Sequence, residues 1–114
     1  MITIYHNPRC GKSRQTLALI QAAGQEPQVI EYLKTPPTVA ELDSLLKKLK
    51  MEPRDLMRQG EEIYRELKLA EKELSRDEAL ELLAAHPKLI ERPIVVKGRQ
   101  AVLGRPPENV NALL

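Results

Sequence analysis

The sequence contains no tryptophan and no phenylalanine, and three tyrosines are its only aromatic residues. That absence removes the base-stacking platforms of single-strand nucleic-acid binders. It also requires an aliphatic core built from Leu, Ile, Val and Ala. Cysteine occurs once, at Cys10. One thiol excludes an internal disulfide framework and a cysteine-based structural zinc site, and it fits a reducing, cytoplasmic setting. Charge of one sign is also lacking: 18 Lys and Arg stand against 16 Asp and Glu, a net +2. So small an excess gives no footprint for nucleic acid. No apolar run approaches the ~20 residues of a bilayer span. Met1–Tyr5 starts directly with strand-like alternation, with no cationic and apolar leader before it, so neither a signal peptide nor a membrane anchor is expected.

What is present reads as a single α/β domain over residues 1–114 with 42% hydrophobic and 30% charged residues, the balance of a folded protein. Ile2, Ile4 and Tyr5 form a strand that Asn7-Pro8 stops. Leu17, Ile20 and Ala23, with Thr16 beside them, mark one face of a helix from about Gly11 to Ala23, with Gly24 as its C-terminal cap. Pro27 to Tyr32 reads as a second strand. A strand-helix-strand unit implies parallel pairing.

The segment from about 38 to 86 carries only helical signals and reads as a helical insert. Thr38 with Glu41 and Ser75 with Glu78 match capping boxes. Leu42, Leu45, Leu46 and Leu49 follow the first, and Ala79, Leu82 and Leu83 the second, which His86-Pro87 closes. Pro53 opens a short helix through Leu56 and Met57, ended by Gly60. Beyond it, Arg92-Pro93-Ile94-Val95-Val96 and Ala101-Val102-Leu103 read as antiparallel strands joined at Gly98. Pro106 starts a last short helix ending at Leu113-Leu114. The predicted order is β-α-β, helical insert, β-β-α.

Cys10 falls between the first strand and the first helix, within His6-Asn7-Pro8-Arg9-Cys10-Gly11-Lys12-Ser13-Arg14. The open N–H groups and dipole of a helix start stabilise a thiolate, and they bind an oxyanion for the same reason. Arg9, Lys12 and Arg14 add positive charge, and Gly11 leaves the backbone uncovered beside the sulfur. Gly11 and Ser13 are therefore candidate oxyanion-binding positions next to a nucleophilic Cys10. Ser13 excludes a Cys-x-x-Cys dithiol, and Thr16, the sixth residue after Cys10, excludes a Cys-x5-Arg phosphatase loop.

The segment Tyr5–Arg14 resembles the active-site segment of the ArsC family of glutaredoxin-coupled arsenate reductases. Tyr32-Leu33-Lys34-Thr35-Pro36-Pro37, Leu56-Met57-Arg58, Leu69-Ala70-Glu71, His86-Pro87, Arg92–Val96 and Arg105-Pro106 extend the resemblance in matching order. It implies a thioredoxin-like fold with a helical insert, a proline after Arg92 that is cis and faces the cysteine, and reduction of arsenate to arsenite. Carried over residue by residue, Cys10 is the nucleophile, His6 supports its reactivity, and Arg58, Arg92 and Arg105 hold the oxyanion. It further implies glutathione as co-substrate and glutaredoxin as partner, with no bound cofactor, no metal, and a monomer. A lone cysteine agrees, because the second sulfur must then come from outside the chain. Lys12 stands where the best-known resistance enzymes have Thr, and their further C-terminal stretch is missing, so the likeness is to the shorter, housekeeping branch.

Two other readings belong beside this one. The same fold occurs in Spx-type regulators that bind RNA polymerase, which usually carry Cys-x-x-Cys. A thiol oxidoreductase acting on another substrate is the second. Judged without the family, Arg58 and Arg105 are surface cations, His86 is structural, and Glu61, Glu62, Arg65 and Glu66 form a solvated helix face.

Overall fold

The computed structural model describes residues 1–114. The chain divides into two compact units, one made of Met1–Thr35 with Arg92–Leu114 and the other of Pro36–Glu91.

The first unit is built on a four-stranded sheet with β1 at Ile2–His6, β2 at Gln28–Glu31, β3 at Ile94–Lys97 and β4 at Gln100–Leu103. The strand order is β2-β1-β3-β4. β1 runs parallel to β2, with Ile4 opposite Val29, and antiparallel to β3, with Ile4 opposite Val95. β3 and β4 form the expected hairpin, with Lys97 opposite Gln100. Gly98 has φ 62 and Arg99 does not have positive φ, the pattern of a two-residue type II′ turn with glycine first. Ile2, Ile4, Ile20, Val95, Val110 and Leu113 make the core, with Leu17, Leu19 and Val102 packed against it. Aliphatic residues fill it, as the missing Trp and Phe require. Because β1 alternates with period two, the face that buries Ile2 and Ile4 also buries His6 at the strand's end.

The helix α1 spans Gly11–Ala22, and Gly24 (φ +80) follows it in the left-handed conformation expected of a cap. Of the expected Leu17, Ile20, Ala23 stripe with Thr16 beside it, Ile20 and Thr16 are buried, and Ser13 joins them. Leu17 is half-buried and Ala23 is exposed. The first turn packs through small hydroxyl residues that find hydrogen-bond partners, a pattern a search for apolar periodicity passes over. The last element also differs. Pro107–Leu113 is 3-10 helix, not α-helix. Its N–H groups bond three residues back, as Asn109 does to Pro106 O at 3.0 Å, over seven residues, a long run for this geometry.

The second unit is helical. α2 (Val39–Leu49) and α4 (Arg76–Ala85) start on capping boxes in which Thr38 and Ser75 accept from the N–H of Glu41 and Glu78 and both glutamates bond back. α2 packs on α4. Leu42, Leu45, Leu46, Leu56, Leu69, Leu80, Leu83 and Leu89 are buried. Leu80 takes the buried position expected of Leu82. The Pro53–Leu56 segment is a single 3-10 turn, and α3 (Glu62–Glu66) is short. The unit also contains strand-like pairing that its helical signals gave no sign of. Met57 and Ile90 form an antiparallel bridge, flanked by Arg58 N–H to Leu89 O at 2.7 Å and Glu91 N–H to Leu56 O at 2.8 Å.

Candidate active site

Cys10 is the N-cap of α1, with extended backbone (φ −95, ψ 122). The loop before it is held by its own hydrogen bonds. Cys10 N–H donates to Asn7 O at 3.0 Å, and Arg9 N–H donates to Asn7 Oδ1 at 3.0 Å. An asparagine side chain bonding two residues on is the local chemistry that makes Asn-Pro a turn. Arg14, one turn into α1, reaches back and donates from its guanidinium to Pro8 O at 2.9 Å.

Ser13 ties this loop to β1 from below. Its Oγ lies 2.6 Å from His6 Nδ1 and accepts from Asn7 N–H at 3.0 Å. The hydroxyl is buried in that arrangement, so it is the backbone N–H of Ser13, not its side chain, that turns to the sulfur. His6 is therefore connected to Cys10 only through Ser13. Burial pushes the His6 imidazole below its usual value, and the nearby Arg14 charge acts in the same direction against the opposing pull of Glu31. Both effects favour the neutral ring.

Burial pushes the Cys10 thiol up, but hydrogen bonds outweigh it. The Ser13 N–H, the hydrogen-bonding and charged guanidinium of Arg92, and the Lys12 N–H together hold the thiol below its ordinary value. Donors that favour the charged form lower an acid's pKa. The sulfur is half-buried at the helix start, and these donors favour its thiolate form.

Arg92 stands at the entrance to β3, before a cis proline, the geometry the resemblance implies. Arg105 also precedes a cis proline, just past β4, and its guanidinium donates to Arg92 O at 3.3 Å. Gly104 brings the two segments together. Its N–H donates to Pro93 O at 2.9 Å, and its carbonyl accepts from Thr16 Oγ1 at 3.4 Å. A Cβ at Gly104 would stand 2.5 Å from Thr16 Oγ1 and 2.7 Å from Pro93 Cγ. Only glycine allows this approach. A Cβ on Gly11 would meet nothing nearer than Arg14 at 3.8 Å, so no close packing requires glycine there.

Arg58 belongs to the second unit, where Glu91 holds its guanidinium at 2.6 Å and Glu61 its Nε at 3.4 Å. Glu61 is therefore an ion-pair partner and not part of a freely solvated face. Glu62, Arg65 and Glu66 are exposed as expected. Arg58 and Glu61 stand three apart across the turn that precedes α3, and not on a helix face. Asn7 and Arg14 as loop clamps, Thr16 with Gly104, and Glu91 were not anticipated. No group of three or more His, Cys, Asp or Glu side chains converges to hold a metal.

The sequence profile of the ArsC family matches residues 5–113. The chain belongs to the ArsC family. Among its relatives, the uncharacterized protein YfgD of Escherichia coli K12 is 52% identical over 96% of this chain and 92% of its own length. An arsenate reductase of E. coli K12 is 47% identical over 99% of this chain and 80% of its own length. The solved structure of an arsenate reductase from Vibrio cholerae superposes with a TM-score of 0.95 at 54% identity, covering 99% of this chain and 97% of that one. The thioredoxin-like fold implied by the ArsC resemblance is thus the fold of this protein. No helix is long and apolar enough to cross a membrane.

Proposed function

We propose that this protein is an arsenate reductase that uses Cys10 as its only thiol and takes its reducing thiols from glutathione and glutaredoxin. The observation that carries the reading is the Cys10 sulfur, hydrogen-bonded by the Ser13 and Lys12 N–H groups and by the Arg92 guanidinium. That arrangement favours thiolate, and the same donors suit an oxyanion. The names of its relatives, arsenate reductases at 44–54% identity over nearly the whole chain, point the same way.

In the proposed reaction, the Cys10 thiolate attacks arsenic(V) and forms an S–As bond, while one arsenate oxygen takes up protons and leaves as water. Arg92 and Arg105 offer planar, permanently charged donors to the remaining oxygens. Arg58 is the third such arginine on the family resemblance, and would have to exchange Glu91 and Glu61 for the anion. Gly11 and Ser13 contribute backbone N–H groups, and His6 acts as a positioning residue through Ser13. Glutathione then condenses on arsenic with loss of a second water. A glutaredoxin thiol attacks the glutathione sulfur. The S–As bonding pair passes to arsenic, which becomes arsenic(III), and a mixed glutaredoxin–glutathione disulfide leaves. Water releases arsenite and restores Cys10. A single thiol without a resolving partner suits a reducing cytoplasm, and the chain works as a monomer.

The test is a coupled assay with arsenate, glutathione and glutaredoxin, following NADPH loss through glutathione reductase. Arsenate-dependent turnover that Cys10→Ser abolishes while circular dichroism stays unchanged is the expected pair of results. Turnover that survives Cys10→Ser would remove Cys10 from the mechanism.

A further inference from the structure

A cleft of about 190 Å³ lies against the loop that delivers Cys10, walled on one side by Asn7, Pro8 and Arg9 and on the other by Glu31, Leu33 and Lys34. It falls below the roughly 300–1,000 Å³ of a complete small-molecule site, so it fits one arm of a ligand whose reacting group lies elsewhere. Its charges are unequal. The Arg9 guanidinium is exposed and has no protein partner, and Lys34 pairs with Glu31 only at 3.6 Å, with the lysine 78% exposed. Two cations are thus open to an incoming carboxylate, and one carboxylate, Glu31, is open to an ammonium. Leu33, 39% exposed, and Pro8 supply apolar wall between them.

The oxyanion reading leaves this cleft unused, because the sulfur's donors come from α1 and from Arg92. The chain has no second cysteine, so an outside thiol must approach the Cys10 adduct, and the Asn7–Arg9 loop is common to the cleft and to Cys10. Glutathione carries two carboxylates and one ammonium around a central thiol, which complements two cations and one anion. We infer that the cleft bounded by Arg9, Glu31 and Lys34 holds a carboxylate-bearing arm of glutathione and so presents its thiol to arsenic on Cys10. The inference rests on the arsenate-reductase reading of Cys10 and names the subsite that reading requires. Glutathione binding here is non-covalent and precedes the condensation step.

The probe is S-methylglutathione, whose capped thiol cannot react with Cys10, titrated into the full chain and followed by backbone amide shifts. In the wild type the amides of Asn7, Arg9, Leu33 and Lys34 shift saturably. In the Arg9→Ala, Lys34→Ala double variant the dissociation constant weakens by roughly tenfold, as the loss of two exposed charge contacts allows. The paired Arg9→Lys, Lys34→Arg variant keeps both charges and retains most of the affinity, which guards against a folding artefact. A probe with both carboxylates esterified binds wild type and double variant equally. In turnover, the KM for glutathione rises in the double variant by the same factor, and saturating glutathione restores kcat. Unsaturable shifts in the wild type, or equal affinity in wild type and double variant, overturn the subsite. If the enzyme turns over arsenate with glutathione while the cleft stays silent, the subsite fails and the arsenate reading stands. If S-methylglutathione binds as described but arsenate is not reduced, the cleft stands as a glutathione site and the arsenate reading fails.

Discussion

Removing the Ser13 hydroxyl separates what holds the site in place from what makes its sulfur reactive. In Ser13→Ala the Oγ that sits 2.6 Å from His6 Nδ1 and 3.0 Å from Asn7 N disappears. Both groups it serves are enclosed: His6 is 6% exposed and Asn7 7%. A buried polar group left without its partner costs about 1–3 kcal/mol. Two such groups, less the relief of no longer burying the hydroxyl, come to about 2–4 kcal/mol. For a chain of this size that corresponds to a melting temperature lower by about 8–20 °C. Alanine nevertheless keeps the backbone N–H at position 13, which is the Ser13 donor to Cys10. The thiolate midpoint, read by absorbance near 240 nm against pH at a temperature where circular dichroism shows the variant folded, therefore stays where it is in the wild type. A fall in melting temperature of less than about 2 °C would refute the view that the Oγ bridge anchors the loop. A large fall accompanied by a raised thiolate midpoint would show that anchoring and activation cannot be separated at this residue.

The Cys10 thiol also predicts a pH dependence of stability. Its folded pKa lies below that of the unfolded thiol, so between the two the unfolded chain binds more protons and stability rises with pH. The contribution is complete above the unfolded value and is lost as pH falls through the folded one. The melting temperature of wild type minus that of Cys10→Ser should therefore grow from pH 5 to pH 9, and a flat difference rejects the thiolate. Arg92→Lys and Arg105→Lys should each lower kcat/KM for arsenate roughly ten- to hundredfold, since lysine keeps the charge but loses the two-pronged donor. Only the Arg92 variant should also raise the thiolate midpoint. Arg58→Lys should do less to kcat/KM, and all three variants reducing arsenate like wild type would dismiss the arginine pocket. Gly104→Ala forces a Cβ to within 2.5 Å of Thr16 Oγ1 and should cost about 1–3 kcal/mol, and calorimetry finding no loss would mean that Thr16 and Pro93 yield freely.

Strand and helix order was legible because each element carries its own punctuation. Asn7-Pro8 ends β1, two capping boxes start α2 and α4, and Gly98 turns the β3–β4 hairpin. The sulfur's setting was legible too, since a cysteine directly before Gly11 and a helix is a local pattern. What the sequence hid has two causes. The buried face of α1 runs through Ser13 and Thr16, whose partners His6, Asn7 and Gly104 satisfy them only once the chain has folded. The pairing of Arg58 with Glu91, and the Met57–Ile90 bridge beside it, join residues more than thirty apart. No periodicity announces such contacts.

The division of the chain sets an order on its synthesis. Residues 36–91 form a unit that is continuous in sequence, so everything α2 and α4 need to pack has been made once Glu91 has been added. The sheet unit is interrupted. β1 and α1 are made first, yet β1 lies between β2 and β3, and Ile2, Ile4 and Ile20 share their core with Val95, Val110 and Leu113. During translation at about 5–20 residues per second, the segment carrying Cys10 therefore waits several seconds for its sheet partner and core lid. Through that interval the thiol lacks Arg92, and β1 presents an apolar, unpaired edge. A nascent chain of this kind is open to oxidation and misassociation at its N-terminal segment, and pauses placed between residues 35 and 92 lengthen the exposure.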